Sequence, residues 1–348
     1  MISVPRWGVL LLTLAGLLAL APAAAMAQSD NEKQLYEAAK KEGQVTWSSG
    51  ILNQQICDEV AEAFGKKYPG VTVHAVKTTS QVAFQRLMQD LKAGTVQSDV
   101  FTTTDESHMA YLEGKDLLIK YVPENEKGLS KVLRNIDPKG YYHVSWVGLV
   151  TAIYNKNKVN AAESPKDWQD FTNPRWKDQI AFGSPNFSGL VGVWAVAMEK
   201  RYGWDYFEKL NKLNPQIGRS IDDAITVLNS GERSVAPGNP ASAFRSAARG
   251  NPLAVNYPTS GALMDPSPSA IIKGTQHPNA AKLFMEFLTG PEYSKILAKN
   301  SEQPLRDDVP PPAGAKALSD MKVLTVELSD IEKQLPKVKE KWRDTFGG

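Results

Sequence analysis

Between residues 30 and 120 the hydrophobic pattern changes period repeatedly, and that alternation constrains the fold more than any other feature of the chain. Asp30–Lys41 reads as a helix ended at Gly43, and Val45-Thr46-Trp47-Ser48-Ser49 follows as an extended run. Ile56, Val60 and Phe64 mark one face of a second helix over Gln54–Lys67, which Pro69-Gly70 stops. The β-branched run Val71-Thr72-Val73-His74-Ala75-Val76 predicts the next strand. Phe84, Leu87, Met88 and Leu91 place a helix over Val82–Ala93, and Asp99-Val100-Phe101-Thr102-Thr103 is strand-like again. Strands separated by helices cannot close as tight hairpins, so the pattern predicts a parallel sheet in an α/β domain.

A second set follows. Val144–Tyr154 is a long apolar stretch suited to a buried or connecting strand. Gln179–Phe182 reads as a strand, Gly189–Arg201, Trp204–Leu213 and Ser220–Leu228 as helices, and Leu253–Tyr257 and Ala270–Lys273 as extended. Asn279–Leu288 is amphipathic, and Pro310-Pro311-Pro312 breaks the chain before a charged helical C-terminus. Within 348 residues, two such sets predict two lobes. The cleft between them falls where the carboxyl ends of strands meet helix N-termini.

Composition excludes several classes. Lys and Arg total 40 against 38 Asp and Glu, a net charge of +2, which gives no electrostatic footprint for nucleic acid or an anionic membrane surface. The one cysteine, Cys57, rules out an intrachain disulfide framework and any Cys-rich metal site. Cys57, Val60, Ala61 and Phe64 share an apolar helix face, so the thiol is expected in the core. At the N-terminus, Arg6, the apolar run Val9–Leu20 and Ala25-Met26-Ala27 have the layout of an export signal cleaved after residue 27. Dinucleotide, P-loop, serine-hydrolase and zinc-protease motifs are missing from the sequence. The four histidines, His74, His108, His143 and His277, show no ligand spacing, and Tyr141-Tyr142 reads as packing. A binding protein without a cofactor is therefore expected rather than an enzyme.

The polar loops carry the functional signal. Each predicted strand runs into small hydroxyl residues: Ser48-Ser49-Gly50, Thr78-Thr79-Ser80, Thr102-Thr103-Thr104-Asp105 and Gly183-Ser184-Pro185-Asn186-Phe187-Ser188-Gly189. At a helix start these residues leave backbone N–H groups unpaired in a field that favours an anion. Any one loop is also what a local N-cap or turn uses. Together they predict a ligand site: Ser188, Gly189 and the Leu190 amide holding an anion, with Ser48, Ser49, Thr79, Ser80, Thr103 and Thr104 opposite. Asn239, Tyr257 and Ser260 are further candidates, and Arg245 reads as part of a solvated helix face.

Several segments resemble the ABC-transporter solute-binding proteins of the ferric-iron-binding group. They are Gly43-Gln44-Val45-Thr46-Trp47-Ser48-Ser49, Ser98-Asp99-Val100-Phe101, Ala152-Ile153-Tyr154-Asn155-Lys156, Ser188-Gly189, Ser230-Gly231-Glu232 and His277-Pro278-Asn279-Ala280-Ala281-Lys282-Leu283-Phe284, behind the leader. The resemblance implies a type II periplasmic-binding fold, in which two α/β lobes joined by crossover strands close on a solute in the periplasm. It also implies a monomer that docks on an inner-membrane permease. The lobes are expected over 28–149 with 266–313 and over 150–265 with 314–348, hinged near Val150–Tyr154 and Asp265–Ser269. Iron-binding members supply a His after the first strand, a Glu after the Asp-Val-Phe strand and a tandem Tyr pair. Here residues 47–57 hold no His, the Glu position falls on Thr104, and the Tyr pair falls near Asn239-Pro240. A hard ferric ion needs anionic oxygen ligands, so the expected solute is a small anionic or zwitterionic organic compound: a phosphonate, phosphate ester or carboxylate. The alternative is ferric iron held with a synergistic anion through Asp105 and Tyr257.

Overall fold

The computed structural model describes residues 1–3 and 29–347, so beyond its first three residues the leader lies outside the described residues. The first α/β set forms α1 (Asp30–Glu42), β1 (Gln44–Ser49), α2 (Gln54–Lys67), β2 (Thr72–Lys77), α3 (Ser80–Ala93), β3 (Val100–Thr102), α4 (Glu106–Gly114) and β4 (Leu118–Ile119). Local chemistry sets the ends. Ser29 caps α1 by accepting the Glu32 N–H at 3.1 Å, and Gly43 closes it with a left-handed φ of 76°.

The long strand β5 (Tyr142–Asn155) leads into the second set. That set comprises β6 (Ala181–Phe182), α5 (Gly189–Tyr202), α6 (Asp205–Lys212), β7 (Gln216–Ile217), α7 (Ile221–Ser230), β8 (Val235–Gly238), α8 (Pro240–Ala248) and β9 (Leu253–Asn256). The chain returns through β10 (Ala262–Ile272) and continues as α9 (Pro278–Leu288), α10 (Pro291–Lys299), β11 (Val323–Leu324) and α11 (Leu328–Phe346).

β2, β1 and β3 pair in parallel, as their intervening helices require. β10 then adds antiparallel to β3, β5 antiparallel to β10, and β8 and β9 antiparallel to β5. β5 and β10 make the crossover ribbon, paired from Leu263 with Val150 to Ala270 with Tyr142. β10 is longer than the Ala270–Lys273 segment expected. Pro266 and Pro268 argue against a strand, and the ladder admits them at a register shift between Ser267 and Pro268.

Two large apolar clusters flank this ribbon. Trp47, Phe64 and Phe284 centre the first, with Val144, Val147 and Leu149 of β5 packed into it. Trp168, Phe182, Trp194 and Phe207 centre the second, with Val150, Ala152 and Tyr154 from the same strand. One strand therefore feeds both cores. α11 lays Val338 and Trp342 into the second cluster, whereas Leu318 and Met321 pack in the first. The last passage between clusters thus falls near β11, later in the chain than residue 314. Cys57 is fully buried in the first cluster, and burial pushes its thiol above the ordinary range, which makes it unreactive.

Candidate functional site

A cavity of about 330 Å³ opens where the strand ends meet. Thr79, Ser80, Thr104 and Asp105 form one wall, carried on the segments that follow β2 and β3. Asn186, Phe187, Ser188 and Gly189, at the start of α5, form the other. Asp265 of the crossover ribbon lines it between them, and Leu328, Ile331, Leu335 and Lys339 bring α11 alongside.

The first wall is knitted together. The Ser80 hydroxyl accepts the Thr104 N–H at 3.0 Å, shares a hydrogen bond with Thr104 Oγ1 at 3.1 Å and donates to the Gly50 carbonyl at 3.4 Å. Gly50 permits this approach, because a Cβ there would lie 2.3 Å from Ser80 Oγ. Thr79 caps α3 by accepting the Val82 N–H. Asp105 caps α4 through the Ser107 N–H at 3.0 Å and accepts from Gln81 at 3.1 Å.

The second wall keeps its donors free. Ser188 caps α5, its hydroxyl accepting the Val191 N–H at 3.4 Å. Among the described residues no acceptor takes the N–H groups of Gly189 and Leu190. They are the orphan donors that any helix start leaves; Gly189 lines the cavity at the positive end of the helix, and Leu190 lies just behind the lining. The Leu190 side chain anchors this end. It lies against Gly148 of β5, where a Cβ would come within 3.0 Å of Leu190 Cδ1.

The remaining sequence candidates sit elsewhere. Ser48 is buried within β1, and Ser49 is sealed beside Cys57. Thr103 is fully buried, sharing a hydrogen bond with His108 Nδ1 at 2.9 Å and accepting the Asp105 N–H at 3.0 Å. Asn239 caps α8 through the Ala241 N–H and lines a separate, much smaller cavity beside Glu302. Ser260 donates to Asp167. The Tyr257 hydroxyl accepts the Lys316 N–H at 3.1 Å, so Tyr257 and Asp105 do not share the main cavity. Burial also pushes the Tyr257 phenol up, away from the phenolate a ferric ion would need. Among the described residues no group of three or more His, Cys, Asp or Glu is arranged to hold a metal. Arg245 is not part of a solvated face. Its guanidinium meets Glu302 at 2.6 Å, and the Trp146 indole donates to the other oxygen of that carboxylate at 3.1 Å.

Sequence reasoning missed the acids of the cavity. Glu106, at the first position of α4, has its carboxyl pushed up to about 7 by burial, with Glu327 and Asp105 adding to the effect. Asp265 is 6 % exposed, and burial raises its carboxyl well above the usual range, helped by Glu106 and Asp105. A signal was present, since an Asp between Met264 and Pro266 interrupts an apolar strand. The cavity face of α11 was also readable, because Leu328, Ile331 and Leu335 recur at helical spacing.

Two walls facing across a cavity, joined by a two-strand ribbon, is the geometry of a receptor for a small solute, and sequence comparison gives the same answer. A profile of bacterial extracellular solute-binding proteins matches residues 97–334. The chain belongs to that family. Among solved structures, an extracellular solute-binding protein from Bordetella parapertussis aligns with a TM-score of 0.75 at 18% identity, covering 88% of this chain and 99% of that one. Iron-bound HitA from Pseudomonas aeruginosa aligns with a TM-score of 0.71 at 20% identity, covering 86% and 98%. AfuA from Actinobacillus pleuropneumoniae, with fructose-6-phosphate bound, aligns at 0.69 and 20% identity, covering 86% and 97%. This solute-binding protein therefore has the two-lobed type II periplasmic-binding fold. It is the solute-binding component of an ABC importer, not an enzyme. Among its described residues no helix is long and apolar enough to cross a membrane.

Proposed function

We propose that this solute-binding protein captures a small anionic or zwitterionic organic solute: a phosphonate, phosphate ester or carboxylate. The solute sits between the first wall and the start of α5 and is delivered to a permease in the inner membrane. The observation that carries this reading is the start of α5, where the N–H groups of Gly189 and Leu190 are unclaimed and Gly189 lines the cavity opposite a hydroxyl-lined wall. Two aligned amides at a positive helix end hold an anionic oxygen without burying a cationic side chain. Thr79 and Ser80 from one side, and Ser188 from the other, complete the shell. Thr103 braces the first wall from behind, its hydroxyl accepting the Asp105 N–H at 3.0 Å.

The lobes in this reading are built on 28–149 and 150–265. The returning chain from 266 completes the first and, after a last passage near β11, the second. The lobes close about the ribbon at Val150–Tyr154 and Asp265–Ser269. Ligand selects the closed state because only there do both walls touch it. The protein works in the periplasm as a monomer once residues 1–27 are removed. The test is a thermal-shift screen of residues 28–348 against phosphonates, sugar phosphates, carboxylates and Fe(III). A true ligand at about 100 times its Kd stabilises the fold by about 2.7 kcal/mol, following RT ln(1 + [L]/Kd). Stabilisation by Fe(III) alone, with no response to any organic anion, would overturn the reading.

A further inference from the structure

The cavity has a second, oppositely charged end. Asp265 lies on β10 opposite Gly148 in the ladder, so its side chain shares the ribbon face against which the start of α5 packs. The carboxylate lines the cavity, yet the residue is only 6 % exposed. Among the described residues no hydrogen-bond donor reaches it: backbone amides, hydroxyls and the cavity's own cation, Lys339, all leave it unpaired. That contrasts with the other buried acids of the chain. Glu286 accepts from the Tyr121 hydroxyl and from the Glu124 and Asn125 amides, and Glu302 meets Arg245 and Trp146. A buried carboxylate is normally paired, so one that is unpaired and faces a cavity lacks a partner that arrives from outside. Asp105 and Glu106 line the same space, leaving three acids against Lys339. A cation arriving at this end would let the crowded acids ionise, while α5 presents the positive end of its dipole.

We infer that Asp265 is the counter-ion for an ammonium group, and that the solute is a zwitterion whose anionic end rests on Gly189 and Leu190 and whose cationic end rests on Asp265. The inference rests on the anion reading of α5 and narrows its solute class to amino-phosphonates, amino-phosphates or amino-carboxylates. Glu106 and Asp105 on α4 strengthen the negative field around the ammonium, and Lys339 on α11 opposes it.

The test compares matched pairs of probes differing only in the amine: 2-aminoethylphosphonate with ethylphosphonate, and β-alanine with propionate. Calorimetric titration of wild type is expected to give at least one ammonium-bearing member about tenfold or more tighter than its partner, the scale of a charge-assisted hydrogen bond. Asp265→Asn keeps the shape and removes the charge. It should erase that preference, while the unliganded variant melts at or above the wild-type temperature. Equal binding of the two members of each pair, a preference that survives in Asp265→Asn, or binding of none of the four probes would overturn the Asp265 assignment. The anion reading is judged separately. If Gly189→Pro weakens ethylphosphonate or propionate while amines make no difference, the α5 site stands and Asp265 falls.

Discussion

On the first wall of the cavity Ser80 and Thr104 bond each other, Thr79 and Asp105 cap the helices behind them, and Thr103 holds His108. On the second wall Ser188 makes one capping bond, and among the described residues the N–H groups of Gly189, which lines the cavity, and Leu190 have no acceptor. Both walls use the small polar residues that follow strands in an α/β fold, but they use them differently. The first is a rigid, internally satisfied surface that offers lone pairs and occasional hydroxyl protons. The second is a charged device, because unpaired amides at a helix start carry the end of the helix dipole. Rigidity on one side and open donors on the other suit a receptor that must hold its shape empty and grip only when closed.

The difference can be attacked at four points. The largest effect is expected from Trp194→Ala, which removes the ring on which α5 rests against Trp168 and Phe207, at centroid distances of 6.3 and 5.7 Å. Deleting a buried aromatic of this kind costs ~3–5 kcal/mol. Urea unfolding should show that loss, and a loss below about 1 kcal/mol would mean the second wall does not depend on its core. Next comes Gly189→Pro. Ser188 is already extended at φ −121° and ψ 119°, and no atom lies within 4 Å of a Cβ at Gly189. Proline at the first helical position is therefore tolerated and removes only a donor. Anion affinity should fall about 10- to 100-fold, the worth of a hydrogen bond to a charged group, with the melting temperature of the empty protein little changed. Unchanged affinity would remove the anion from α5.

Ser80→Ala probes the first wall. It strands the Thr104 N–H and should cost ~1–2 kcal/mol of stability, with a smaller effect on affinity than Gly189→Pro. The reverse ranking would show that the first wall, too, binds directly. The smallest effect concerns pH. Burial and neighbouring acids raise the Glu106 carboxyl from its ordinary value to about 7, so the folded protein holds that proton more tightly than the unfolded chain. This stabilisation is full below the ordinary carboxylate range and is lost as pH rises through about 7. Glu106 is partly open to the cavity, which screens its charge, so Glu106→Gln should gain ~1–2 kcal/mol over wild type at pH 8 and little at pH 4. Parallel stability curves for the two proteins between these limits would contradict it.

Much of the fold was legible in the chain. The alternation of β-branched runs with helical spacing between Val45 and Thr103 leads directly to the parallel order of β2, β1 and β3. Ser188-Gly189 was readable as a helix start, because capping is local chemistry. Arg245 and Tyr257 were not readable, because their partners, Glu302 and the Lys316 amide, lie 57 and 59 residues away in the chain. The same limit applies to the hydroxyls. Whether a threonine after a strand faces a ligand or braces its neighbour depends on what the next strand brings beside it. Thr103 and Thr104 are adjacent, and they part company on that ground alone.

The sequence by itself determined the elements, the absence of a recognisable catalytic motif and the small polar residues at the strand ends, since these follow from periodicity and short-range capping. Only the tertiary structure decided which donors remain free, and it brought Asp265, Asp105 and Glu106 to one cavity. Charge in a binding site is a property of what lies across the gap, and chain order records nothing of that distance.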